Sequence, residues 1–160
     1  MTYEALQEMG LEERPAEAQE VIGLMMRAER DLSTARLLQD KDEEWSFAAA
    51  YQAMARSGRA LVLSEGYRPK GSRSRDTHKS VVTASGVILG VKQKSLINKF
   101  YRMRRKYQNF TVESGTVVSR YEAGQAIRDA EEFFGLVGHR LREKYSQLSL
   151  LNDVPQLVSR

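Results

Sequence analysis

The stretch Phe100-Tyr101-Arg102-Met103-Arg104-Arg105-Lys106-Tyr107-Gln108-Asn109-Phe110 interleaves four bases with four aromatics over eleven residues. Arginine and lysine neutralise phosphates, and tyrosine and phenylalanine stack on unpaired bases. Arginine adds a planar fork that grips a pair of phosphoryl oxygens. The candidate polyanion-binding residues are therefore Lys99, Arg102, Arg104, Arg105, Lys106, Gln108 and Asn109. At helical spacing Phe100, Met103 and Tyr107 project together, and that shared face reads as core ahead of a stacking platform.

Cleaving RNA without a metal needs a base to take the 2′-hydroxyl proton and a cation to stabilise the phosphorane. Arg102, Arg104 or Arg105 could supply the cation. The chain has two histidines, His78 and His139, and neither lies within ten residues of those arginines. Either could approach them only through the fold or across a dimer. His78 opens a helix and serves equally well as a surface or capping residue. Tyr107, with an ordinary pKa near ~10, is a poor base unless strongly shifted. The catalytic candidates are thus Arg102, Arg104, Arg105, Tyr107 and His78, and they form no complete set. There is no phosphate-binding glycine loop, no serine nucleophile elbow and no His-x-x-x-His pair. With no cysteine and two histidines, neither a disulfide nor a tetrahedral zinc site is expected. No cofactor is expected.

Helices must position these residues. No proline falls between Pro69 and Pro155, and the long segments carry the 3.6-residue apolar period rather than alternation. The first helix begins at Pro15 and runs about 25 residues, with Val21, Met25, Ala28, Leu32, Ala35 and Leu38 as its stripe. Asp40 to Asp42 ends it and caps the second, Glu43 to Glu65, which Gly66 stops. A loop spans Tyr67 to Arg75. A shorter helix covers Thr77 to Leu89, broken by Gly90. The next runs from Lys92 to Asn109, then a loop from Thr111 to Val118. Ser119 and Glu122 form a capping box that opens a helix from Arg120 to Gln147. The fold class is all-α: an up-and-down helical bundle of four main helices plus a shorter one. Residues 1–14 read as a weakly ordered leader, 15–147 as the bundle and 148–160 as a tail.

Charge is unevenly spread. Residues 1–44 hold five bases and twelve acids, whereas residues 66–109 hold twelve bases and one acid. The net charge of +4 hides that cationic third, which suits a polyanion or an acidic partner surface. The alternative is that the cations neutralise the acidic first third. Uncharged runs such as Val81 to Val91 fall short of a ~20-residue bilayer span. The first ten residues have two acids, no base and no apolar block, unlike a signal peptide. The expected location is cytoplasmic, with no membrane contact.

Together these pieces resemble the HEPN domain family, small helical proteins of higher eukaryotes and prokaryotes. Ala28-Glu29-Arg30-Asp31-Leu32-Ser33-Thr34-Ala35 resembles the first-helix signature, and Phe47-Ala48-Ala49-Ala50-Tyr51-Gln52-Ala53-Met54 the second. Leu61 to Gly66 matches the leucine-rich end of that helix, and His78 falls where many members have a histidine. Arg104-Arg105-Lys106, the Phe110 to Gly115 loop, Val118-Ser119 and Ala126 to Phe134 are similar to the family's last third. The resemblance covers about residues 20–145. It implies a homodimer with a shared basic cleft, and in active members a metal-independent endoribonuclease toxin paired with a nucleotidyltransferase antitoxin. Their signature is an arginine, commonly followed by asparagine, with a histidine four to six residues after the arginine. Here Arg102 to Val112 contains no histidine, and Tyr107-Gln108 stands where the Arg-Asn pair is usual. The expectation is therefore a non-catalytic, dimeric module that associates with RNA, nucleotides or a partner protein. The alternatives are a ribonuclease toxin and a purely structural interaction module.

Overall fold

The computed structural model of the chain describes residues 3–71, 74–112 and 117–150. The elements are α1 (Tyr3–Glu8), β1 (Leu11–Glu13), α2 (Ala18–Leu38), α3 (Glu43–Ser64), β2 (Tyr67–Pro69), α4 (Ser74–Leu89), α5 (Lys94–Val112) and α6 (Arg120–Arg142). Short 3₁₀ turns at Val91–Gln93 and Ser146–Leu150 complete the set. The fold is an all-α bundle with one two-stranded ribbon.

α3 is the central helix, packed against α2, α4, α5, α6 and β2. Its alanines make that possible: Ala48, Ala50, Ala53, Ala55 and Ala60 are all buried and let neighbours come close. Gly58 marks the tightest approach. A Cβ there would stand 2.7 Å from Val81 Cγ1, so any larger residue would force the Val81 side chain or α4 to shift. The Asp42 side chain caps α3 by accepting from the Trp45 backbone N–H at 3.1 Å. Gly66, at φ +88°, turns the chain out of α3 in a conformation that L side chains rarely adopt. The capping box of α6 is formed in both directions, at 3.1 Å and 3.2 Å.

Several boundaries differ from the sequence expectation. α2 starts at Ala18 instead of Pro15 and spans 21 residues instead of about 25. Residues 3–13 are not loose: they form α1 and β1, and β1 pairs antiparallel with β2, Leu11 opposite Pro69. Leu6 and Leu11 are buried in a satellite core with Val62 and Ala84. Pairing partners 56 residues apart, such as Glu12 and Arg68, leave no local signal. The expected loop after Gly66 accordingly contains β2, and α4 starts at Ser74. α5 continues past Asn109 to Val112. α6 stops at Arg142 rather than Gln147, and the 3₁₀ turn that follows carries Leu148 fully into the main core. Most of the expected tail, 151–160, lies outside the described residues.

Candidate nucleic-acid interface

α5 presents two faces. Inward, Phe100 is fully buried, with ring centroids 5.1 Å from Phe133 and 6.1 Å from Tyr51. Met103 is buried beside it, and Tyr107 packs against the same core. Tyr107 stacks on Tyr51 at 4.6 Å, and its hydroxyl accepts from Gln52 Nε2 at 2.7 Å. The aromatics of the segment that lie within the described side chains, Phe100, Tyr101 and Tyr107, are thus bound to the bundle; the side chain of Phe110 lies outside them.

Outward, a shallow cavity of about 400 Å³ is lined by Lys79, Asn98, Tyr101, Arg102, Arg104 and Arg105. Lys79 comes from the start of α4 and the rest from α5. The Tyr101 hydroxyl and Thr83 Oγ1 share a hydrogen bond of 2.7 Å that ties the two helices together. Four cations line this cavity and no carboxylate does, among the described residues. None of the four makes an ion pair among the described residues. Arg104 donates from its terminal nitrogen to Gln108 Oε1 at 3.1 Å, while its Nε is buried without a partner. Gln108 is half-buried and serves that arginine; Asn109 is exposed.

Lys99 and Lys106 stand differently. Lys99 faces the buried Asp129 of α6 at 3.5 Å, and Lys106 pairs with Glu122, holding that carboxyl below its ordinary range. Both line a second groove, between α5 and α6, with Arg102, Tyr121 and Gln125.

Of the two histidines, the fold brings one to the arginines. His78 Nδ1 lies 2.8 Å from the Tyr51 hydroxyl, and its ring stacks on Tyr107 at 6.4 Å. Burial holds the His78 pKa below its ordinary value, and the guanidiniums of Arg59 and Arg104 add to the shift. The imidazole is therefore neutral at neutral pH. Burial likewise pushes the Tyr51 phenol well above its usual range, against the opposing pull of Arg104. His78 nonetheless opens onto a different cavity, next to Arg59, and does not line the cationic one. His139 is exposed on α6, beside Arg142 and away from both.

Sequence reasoning did not single out Lys79 or Asn98, and it had Tyr101 only as one of the four aromatics of the basic stretch. Lys79 was visible only as one charge in the cationic third, because its neighbours come from a helix that starts fifteen residues later. That charge excess persists in space: of the cations from Arg68 to Lys106, one, Arg68, pairs with an acid of residues 1–44 among the described residues. The described residues contain no cluster of three or more potential metal ligands, and no helix among them is long and apolar enough to cross a membrane.

The class is set by these features: a small all-α bundle around an alanine-rich central helix, with a cationic hollow between two of its helices. The family model of the HEPN domain matches residues 23–143, and the chain belongs to the HEPN domain family. Neither the curated proteins nor the solved structures compared with it yield a match.

Proposed function

We propose that this protein is a non-catalytic, cytoplasmic HEPN module that binds single-stranded RNA as a homodimer through its basic cleft. The observation that carries the reading is the hollow of Lys79, Arg102, Arg104 and Arg105, four cations left without carboxylate partners among the described residues. Cations already paired gain little from a phosphate; unpaired ones release counterions when they meet it. Tyr101 and Asn98 at the rim add a ring edge and an amide for base contact. The same hollow contains no histidine among the described residues, which supports binding without cleavage. The family resemblance makes a nucleotidyltransferase-type protein the partner to look for.

Retention on a single-stranded RNA should weaken as salt rises. Replacing Arg104 and Arg105 with alanine should reduce the slope of log affinity against log salt by about 1.4, at ~0.7 per phosphate released. An unchanged slope removes these arginines from the site. No retention at low salt, with an acidic protein co-purifying, favours the purely structural module instead. Sedimentation at micromolar concentration tests the dimer, and a monomer there removes that part of the reading.

One observation favours a second reading, a metal-independent endoribonuclease. His78 is neutral, oriented by Tyr51, and within the electrostatic reach of Arg104 and Arg59. A neutral imidazole can take a 2′-hydroxyl proton while a guanidinium steadies the phosphorane. Cleavage of RNA in excess chelator, abolished by His78→Ala, would establish it; intact RNA with the wild-type chain ends it.

A further inference from the structure

We infer that the cavity between the N-terminal ribbon and the bundle is a binding site for a small organic monocarboxylate, with Arg59 as its anchor. The cavity measures about 480 Å³ and is enclosed by α2, α3, the β1–β2 ribbon and the start of α4. That volume is in the range of small-molecule sites, which pair apolar walls with a few polar groups. Here Leu24, Leu63, Tyr67 and Val81 supply the apolar wall.

Three guanidiniums reach the lining, and two are already answered. Arg14 pairs with Glu20 at 3.0 Å, and Arg68 with Glu12 at 2.6 Å. Arg59 lines the cavity with no ion pair or hydrogen bond among the described residues. With His78 neutral, the described side chains of the lining, Arg14, Arg59 and Arg68 against Glu12 and Glu20, carry one positive charge in excess. One negative charge balances it. A phosphate monoester, at roughly −1.5 to −2, overshoots. A carboxylate matches both the charge and the two-pronged donor geometry of a guanidinium. His78 adds a second contact: when the Tyr51 hydroxyl donates to Nδ1, the other ring nitrogen carries the proton. The apolar wall then selects a ligand with a hydrocarbon or aromatic body. This site is separate from the cationic hollow and does not depend on RNA binding.

The test is saturation-transfer NMR on the full chain at neutral pH. The probes are a set of aromatic and aliphatic monocarboxylates, phenylacetate among them, each beside its uncharged amide, together with phenyl phosphate. The acids should bind saturably, their amides should not, and phenyl phosphate should bind more weakly than phenylacetate. Arg59→Gln, at an exposed position, should weaken the acids at least tenfold while circular dichroism stays unchanged. Lys92→Gln, also exposed but away from the cavity, should leave them unaffected. The site is overturned if no acid in the set binds, if amides bind as well as acids, if phenyl phosphate binds more tightly, or if Arg59→Gln binds like the parent.

Discussion

Lys99 and Lys106 differ from Arg102, Arg104 and Arg105 in what waits opposite them, although all five belong to one helix. Seven residues apart, the two lysines turn to α6 and meet Asp129 and Glu122. The three arginines share their hollow with Lys79 of α4, which adds a like charge instead of an acid; Arg102 also borders the groove that holds Glu122 and Asp129 but pairs with neither among the described residues. A positive run in a sequence is thus two populations: one spent on holding helices together, one left over for something outside. Spacing hints at the division, because positions seven apart return to the same side of a helix. Only the partners decide it.

The largest effect should come from the side of α5 on which both populations depend. Phe100→Ala removes a fully buried ring wedged between Phe133 and Tyr51. Unfolding in urea should show a loss of about 3–5 kcal/mol, the usual cost of a phenylalanine-sized cavity. A loss under 1 kcal/mol would mean that α5 is not anchored in the core at all.

A smaller effect separates the two populations directly. Lys99→Ala leaves the buried carboxylate of Asp129 with Gln125 Nε2, at 2.9 Å, as its remaining side-chain donor among the described residues. Stability should fall by about 1–3 kcal/mol, the cost of stranding a buried polar group, and the salt slope of RNA retention should not move. Arg102→Ala with Arg105→Ala should do the reverse. Their stability should stay within about 0.5 kcal/mol of the parent, as expected for surface positions, and the slope should drop. If Lys99→Ala flattens the slope as much as an arginine does, the division fails.

How far this was legible in the sequence follows from the range of each interaction. The stripes of α2, α3, α5 and α6 recur within a few residues, and the caps at Asp42 and Ser119 act within three. Such features are written locally, and they hold in the structure. The leader is the counterexample. Leu6 and Leu11 find Val62 and Ala84 more than fifty residues further along the chain, and β1 has no partner until β2 forms. The site divides the same way. The arginines announce themselves, while Lys79 joins them only because Gly58 and Ser85 let α4 lie close on α3. The neighbourhood of His78 is hidden for the same reason, since Tyr51 and Tyr107 are 56 residues apart and meet at its ring.

The smallest expected effect is a pH dependence set by that ring. Tyr51 and Arg59 face His78 from α3, and Arg104 and Tyr107 face it from α5. Burial and the two guanidiniums disfavour the imidazolium, so the folded pKa lies below the unfolded value near ~6.5. Between those two values the unfolded chain binds a proton that the folded chain refuses. Stability must therefore decline as pH falls through about 6.5, and level off once the folded imidazole also protonates. Above that pH the ring contributes no slope. Glu122, whose pKa is lowered by Lys106, loses its contribution only at the more acid pH where carboxylates titrate, so the two declines are separable. Urea midpoints measured between pH 5 and 8 should show the first decline in the parent and not in His78→Gln. An identical decline in both would place the proton elsewhere, and would remove the imidazole from the company of Arg104 that the cleavage reading requires.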